Sequence, residues 1–266
     1  MSRSRSRKTP VRPVRGAAVL RYPEASTRPL ETLLFLFPLL ACYEVGLALW
    51  LRRGAGTLTN KAHGGMVGLF QAFGVRAEDL GLPLLSLPAA GLILTLLAWQ
   101  VIGRFPWRAR VTTILGMYAE SVALAAPLLP LGLLAGRGAE RFAPAAAGAE
   151  FAGMDAMTRL SMALGAGVYE ELVFRMAVMG GLHMLLSDVA GWKGSRAWVV
   201  AMLASALLFA MYHPLRLADG SMDAWKFAFL LLGGCWFGTL FHWRGFGIAA
   251  GTHAAYDVAA LLLLRG

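Results

Sequence analysis

Six side chains in the second half of the chain have types and spacings that could do chemistry: Glu170, Glu171 and Arg175, then His213, then His253 and Asp257. All six fall in or beside apolar runs. Ionisable groups at that depth are costly, turn to a bundle interior or a wet cavity, and mark functional sites by default. Glu171 and Arg175 are four apart, so on a helix they share a face and can neutralise each other. Glu170 points about 100° away, lacks that local partner, and is the candidate general base. His253 and Asp257 repeat the spacing of four, which lets the carboxylate lie beneath the imidazole and fix its tautomer and orientation. A base, two imidazoles and an orienting acid can activate water and stabilise the oxyanion of a tetrahedral intermediate. The natural reaction is hydrolysis of an acyl bond.

The elements that must hold these groups are membrane helices. Of 266 residues, 58% are hydrophobic and 15% charged, where a soluble domain has about 45–50% and 25%. The fold class is all-α, a polytopic transmembrane helix bundle of about seven spans plus an interfacial amphipathic helix. Apolar runs long enough to span cover 30–51, 82–102, 111–135, 154–186, 197–217, 224–243 and 246–264. The run 154–186 exceeds one ordinary span and is either tilted or broken near Gly180 and Gly181. Pro127 and Pro130 kink the third span. The segment 52–79 reads as the helix lying at the interface, with His63 solvated. Glu44 and Glu120 are two further buried acids, Glu44 satisfied by a neighbouring helix.

Residues 1–28 form a basic tail, disordered and cytoplasmic; 29–153 hold the first helices and loops, including a Gly/Ala/Pro-rich loop at 136–153; 154–264 hold the chemistry. The net charge of +10 comes from cations in the tail and short loops, where orientation signals sit, so nucleic acid is not a partner. The expected setting is the bacterial inner membrane, N-terminus inside, with loops 103–110 and 187–196 cytoplasmic. Cys42 and Cys235 lie in apolar runs without a paired framework and read as buried thiols. His183 and His242 match no spacing and read as packing residues. Glu171 with Arg175 serves equally well as a structural ion pair.

Three patterns occur in order on successive apolar runs: EExxxR at Glu170 to Arg175, FxxxH at Phe209 to His213, and HxxxD at His253 to Asp257. Together they resemble the family of CAAX proteases and bacteriocin-processing enzymes, the type II CAAX prenyl endopeptidase-like intramembrane proteases. The resemblance covers about residues 154–264. It implies Glu170 as catalytic glutamate, His213 holding the water with it, His253 and Asp257 on the oxyanion side, and Glu171 and Arg175 in support. Many members carry Asn where Asp257 stands, and an ionised acid accepts hydrogen bonds but donates none, so Asp257 orients His253. The resemblance implies a membrane-tethered protein or peptide as substrate, the lipid bilayer as surroundings, and no cofactor.

Two other readings share these residues. Glu170, His213 and His253 could be three zinc ligands with an open fourth position, although HExxH is absent. A transporter or scaffold with a buried proton relay would use the same groups without cleaving anything, and predicts repeated halves that the sequence lacks. The hydrolase reading makes one geometric demand. In straight spans His213 lies about 6 Å from one end of its helix and His253 about 10 Å from the opposite end of its own. A tilt, a short fifth span or a bend at Pro214 must bring them level.

Overall fold

The computed structural model describes residues 21–53, 60–76, 79, 86–135, 154–217 and 219–263. The tail before residue 21 and the loop 136–153 lie outside the described residues. The end of the tail is ordered, contrary to expectation. Tyr22–Ala25 is a helical turn, α1, with Pro23 in its first turn, and the Tyr22 hydroxyl donates to Glu120 at 2.6 Å.

Helix α2, Pro29–Arg52, starts on a proline, at the position where a missing N–H costs nothing. Its 24 residues extend about 36 Å, enough to cross a bilayer core. Helix α3, Lys61–Ala72, starts at Asn60, whose side chain accepts from the backbone of Ala62 and His63. Helix α4, Leu87–Ile102, is capped by Ser86. The span expected at 111–135 is divided into α5, Val111–Ala125, and α6, Leu128–Ala135. Pro127 stands at the break, where it can neither donate to the preceding turn nor avoid its carbonyl.

Helix α7, Ala156–Glu171, begins at the Asp155 cap and continues without a break through a π-helical stretch, Leu172–Met179, helix α8, Gly180–Met184, and a second π-helical stretch, Leu185–Val189. It is one rod, and Gly180 and Gly181 do not divide it. Helix α9, Arg196–Tyr212, stops five residues short of the expected 217, and His213 after it is extended. Pro214 is the cause, because the residue before a proline is pushed out of the helical region. Helix α10, Ala224–Leu263, is 40 residues long, about 60 Å at helical rise and about twice a bilayer core. It is split where expected: Gly245 has φ 81° and ψ 177°, a conformation that favours glycine. Among the described residues, four helical stretches, Pro29–Arg52, Val111–Gly132, Ala156–Val189 and Ala224–Leu262, are long and apolar enough to cross a membrane, and Leu87–Ile102 and Arg196–Tyr212 are shorter apolar helices.

Helix α7 lies between α2 and α10, and the core around it includes Phe35, Leu36, Tyr43, Met117, Met162, Tyr169 and Ile248. Beside the Gly245 bend, Arg244 donates to Glu120 at 2.6 and 2.7 Å and to Ser26 Oγ at 3.0 Å. That network ties the bend of α10 to α5 and to the ordered end of the tail. Glu44 is satisfied by neighbours as expected, accepting from Ser86 Oγ at 2.6 Å and the Tyr169 hydroxyl at 2.9 Å.

The second half of α10 crosses α7 at Gly167, where a Cβ would come within 2.6 Å of the Cα and Cβ of Ala254. Small residues permit such backbone approach in helices that lipid does not press together. Gly167→Ala is expected to destabilise the detergent-solubilised protein by about 1–3 kcal/mol through overpacking, read as a lowered thermal midpoint. An unchanged midpoint would show that the crossing relaxes at no cost.

Candidate active site

The neighbouring carboxylates of α7 diverge to different partners. Glu170 is 3% exposed. Its Oε2 lies 3.6 Å from His213 Nε2, and its Oε1 accepts from Asn60 Nδ2 at 3.4 Å. His213 Nδ1 is 2.8 Å from the Phe209 carbonyl. A carbonyl only accepts, so Nδ1 carries the hydrogen, and the neutral ring turns its Nε2 lone pair towards Glu170.

Glu171 is fully buried and faces the other way. Its Oε1 is 2.9 Å from His253 Nδ1 and its Oε2 is 3.1 Å from Arg175 Nε. Arg175 is also fully buried, donates to the Gly234 carbonyl at 3.3 Å and stands 4.7 Å from the Phe209 ring centroid. The His253 ring stacks on Phe237 at 4.5 Å and 14°.

The histidines are level, as hydrolysis requires. The Phe209 ring lies 4.7 Å from His213 and 5.8 Å from His253. The short fifth helix is what aligns them: α9 has 17 residues, about 25 Å, and ends at the depth where the second half of α10 carries His253. One expectation shifts. Asp257 lies 3.6 Å from His253 Nε2, whereas Glu171 takes Nδ1 within hydrogen-bond distance. The carboxylate that fixes the His253 tautomer is therefore Glu171, with Asp257 facing the opposite nitrogen.

The π-helical stretch begins directly after Glu171. Widening the turn frees a backbone carbonyl, and Ser205 Oγ on α9 donates to that of Phe174 at 2.6 Å. Such widened turns recur at functional sites. Here it keeps Glu170, Glu171 and Arg175 facing three neighbouring helices.

Two residues of the site come from a segment expected at the membrane surface. Asn60 reaches Glu170. His63 is 4% exposed, not solvated, with its ring 5.3 Å from Tyr43 and 4.9 Å from Tyr169. Burial pushes its pKa down to about 4, so the ring is neutral near pH 7. The signal for Asn60 was present: Asn ahead of an amphipathic run is a helix start. Reading 52–79 as one interfacial element hid it. His183 stacks on Trp198 at 3.8 Å and His242 meets the same ring at 4.3 Å and a 46° tilt, in the packing role expected of them. Cys42 and Cys235 are half-buried free thiols.

Among the described residues, no three His, Cys, Asp or Glu side chains group as metal ligands. Glu170 and His213 face each other, while His253 turns its Nδ1 to Glu171.

The class defined by the fold is an all-α membrane bundle, with acid and imidazole groups buried on neighbouring helices. Residues 153–259 match the family model described as Rce1-like, type II CAAX prenyl endopeptidase Rce1-like. The family so described is one of CAAX prenyl endopeptidases, and the match covers the half of the chain that carries the three sequence patterns. No curated protein and no solved structure matches it. The matched segment contains Glu170, Glu171, Arg175, His213, His253 and Asp257, but not Asn60.

Asn60 has two jobs that substitutions separate. Asn60→Ala loses the cap of α3, costing about 0.5–2 kcal/mol, together with the Glu170 contact. Asn60→Asp caps equally well but sets a like charge beside Glu170. The alanine variant is expected to lose both thermal stability and turnover. The aspartate variant is expected to keep its thermal midpoint and cleave about tenfold more slowly, a rise of 1.4 kcal/mol in the barrier. Equal turnover in Asn60→Asp and the parent would remove Asn60 from the site.

Proposed function

We propose that the chain is an intramembrane endopeptidase that hydrolyses a peptide bond in a membrane-tethered protein or peptide, with Glu170 as general base. The observation that carries this reading is the facing pair Glu170 Oε2 and His213 Nε2, 3.6 Å apart and buried. Both atoms are acceptors when the glutamate is ionised and the imidazole neutral. A water molecule donating one hydrogen to each satisfies both, and its oxygen lone pairs then face the substrate.

The reaction follows from that arrangement. Glu170 takes a proton from the water, and the resulting hydroxide bonds to the carbonyl carbon of the scissile peptide. Charge moves to the carbonyl oxygen. When the C–N bond breaks, the protonated Glu170 returns its proton to the departing amine, leaving a carboxylic acid and an amine, between which the water's second proton then passes to give carboxylate and ammonium. His213 holds the water, with its tautomer set by the Phe209 carbonyl. His253 and Asp257 stand on the oxyanion side, Glu171 and Asp257 orienting the imidazole, and Arg175 neutralising Glu171.

An apolar cavity of about 560 Å³ beside the pair is lined by Met66, Leu69, Phe70, Leu172, Val173 and Tyr212, among others. Its chemistry suits an extended apolar segment entering from the bilayer. His213 at the end of α9 and Asn60 at the start of α3 lie at the end of the bundle away from 103–110 and 187–196. With the N-terminus cytoplasmic, in a bacterial inner membrane, the cavity serves substrates held near the opposite face.

The test is cleavage by purified protein in detergent of peptides built on membrane-tethered termini. Glu170→Gln keeps the shape and is expected to lower kcat about 10²–10⁴-fold at an unchanged thermal midpoint, with chelators without effect on the parent. Loss on chelation and recovery with zinc would instead make Glu170, His213 and His253 metal ligands. Absence of cleavage by the parent would favour a transporter or scaffold with a buried proton relay.

A further inference from the structure

The proposed reaction calls for a donor to the developing oxyanion, and several donors of the site already have partners. His213 Nδ1 donates to the Phe209 carbonyl, His253 Nδ1 to Glu171, and Asn60 Nδ2 to Glu170. His253 Nε2 faces Asp257. Tyr212, the residue before His213, carries a further hydroxyl. The Oη of Tyr212 is buried and has no hydrogen-bond partner among the described residues. A buried hydroxyl left unpaired is costly and calls for an explanation.

The surroundings of Tyr212 supply one. It precedes His213, and the two rings meet edge to face at 5.3 Å. On its other side the ring meets Phe174 at 5.2 Å. It lines the apolar cavity together with Leu172 and Val173, the residues that follow the two glutamates. Lys61 fixes it from the solvent side: Nζ donates to the Tyr212 carbonyl at 2.8 Å and lies 4.2 Å from the ring centroid. An ammonium on the ring face draws electron density from the phenol and strengthens its O–H as a donor.

We infer that Tyr212 is a further catalytic residue, whose Oη donates a hydrogen bond to the scissile carbonyl oxygen as the tetrahedral intermediate forms, and that Lys61 is its positioning residue. The bond forms as charge reaches the oxygen and is released when the C–N bond breaks. The proton stays on Tyr212 throughout. The assignment rests on the proposed peptidase reading and extends it to a residue that none of the three sequence patterns includes.

Tyr212→Phe removes one oxygen and keeps the ring contacts. The expected result is a thermal midpoint at or above that of the parent, a fall in kcat of about 10²–10³-fold, and a KM little changed. A peptidyl phosphonate mimicking the tetrahedral anion is expected to bind more weakly by the same factor as the loss in kcat/KM. Lys61→Met is expected to lower kcat in the parent background and to add nothing in the Tyr212→Phe background, with Lys61→Arg restoring most of the rate. Parent-like kcat in Tyr212→Phe, or equal losses of affinity for substrate and phosphonate, would overturn the role of Tyr212. Additive losses in the double variant would overturn that of Lys61. A parent protein that cleaves nothing sinks the peptidase reading itself, and this assignment with it.

Discussion

The structure turns on how a guanidinium is kept in the middle of an apolar bundle. Arg175 is wholly buried, and an ion taken out of water needs both an opposite charge and hydrogen-bond partners close by. Glu171 supplies the charge at 3.1 Å, the Gly234 carbonyl accepts from it, and the Phe209 ring covers it. Those partners sit on α7, α9 and the first half of α10. Satisfying one arginine therefore fixes three helices relative to one another. The second oxygen of Glu171 reaches His253 on the other half of α10, so the same carboxylate spans the bend at Gly245.

This arrangement dictates the geometry of Glu170. With Glu171 committed to Arg175 and His253, the preceding carboxylate is turned towards α9 and α3, where His213 and Asn60 await it. The two glutamates are adjacent in sequence and chemically opposite. One is paired with Arg175 and His253; the other keeps an oxygen without a hydrogen-bond partner, the one that would meet the water in the proposed reaction. A buried ion cluster of this kind is weak support for stability, since apolar side chains of the same volume would often serve as well or better. Its value lies in specifying a single arrangement. Close crossings through small residues, Gly167 on Ala254 and Gly234 on Ala206, hold the backbones near enough for short side chains to reach.

The helical elements and the motif residues were legible because each rests on local chemistry. Apolar run length marks spans, the spacing of four pairs Glu171 with Arg175, and a proline marks the end of α9. The misreadings concern partners remote in sequence. Spacing alone assigned His253 to Asp257, four residues away on its own helix, and the closer hydrogen bond comes from Glu171 across the bundle. His63 read as solvated because α3 carries polar residues, yet its ring is buried between Tyr43 and Tyr169. Residues 21–28 carry basic charge and read as tail. A single hydroxyl and a serine, Tyr22 and Ser26, bind them to the Glu120 and Arg244 pair, which no local pattern reveals.

Asn60 shows why the first half of the chain matters to a site whose motifs all lie in the second. A cap residue is immobile by construction: its side chain is held by two backbone N–H groups of the helix it begins, while its backbone N–H donates to the Tyr43 hydroxyl on α2. A donor so restrained holds Glu170 without searching rotamers, and preorganisation of this kind lowers the reorganisation a reaction requires. Lys61, the next residue, is restrained in turn by the Tyr212 carbonyl. The first turn of α3 therefore touches both Glu170 and the residue beside His213, and the rest of that helix forms a wall of the apolar cavity. In the proposed reaction the three motifs contribute the reacting groups, and α3 adds contacts that align them and part of the surface a substrate would meet. Changes along α3 facing the cavity would then alter which segment is accepted while leaving the chemistry of Glu170 and His213 in place.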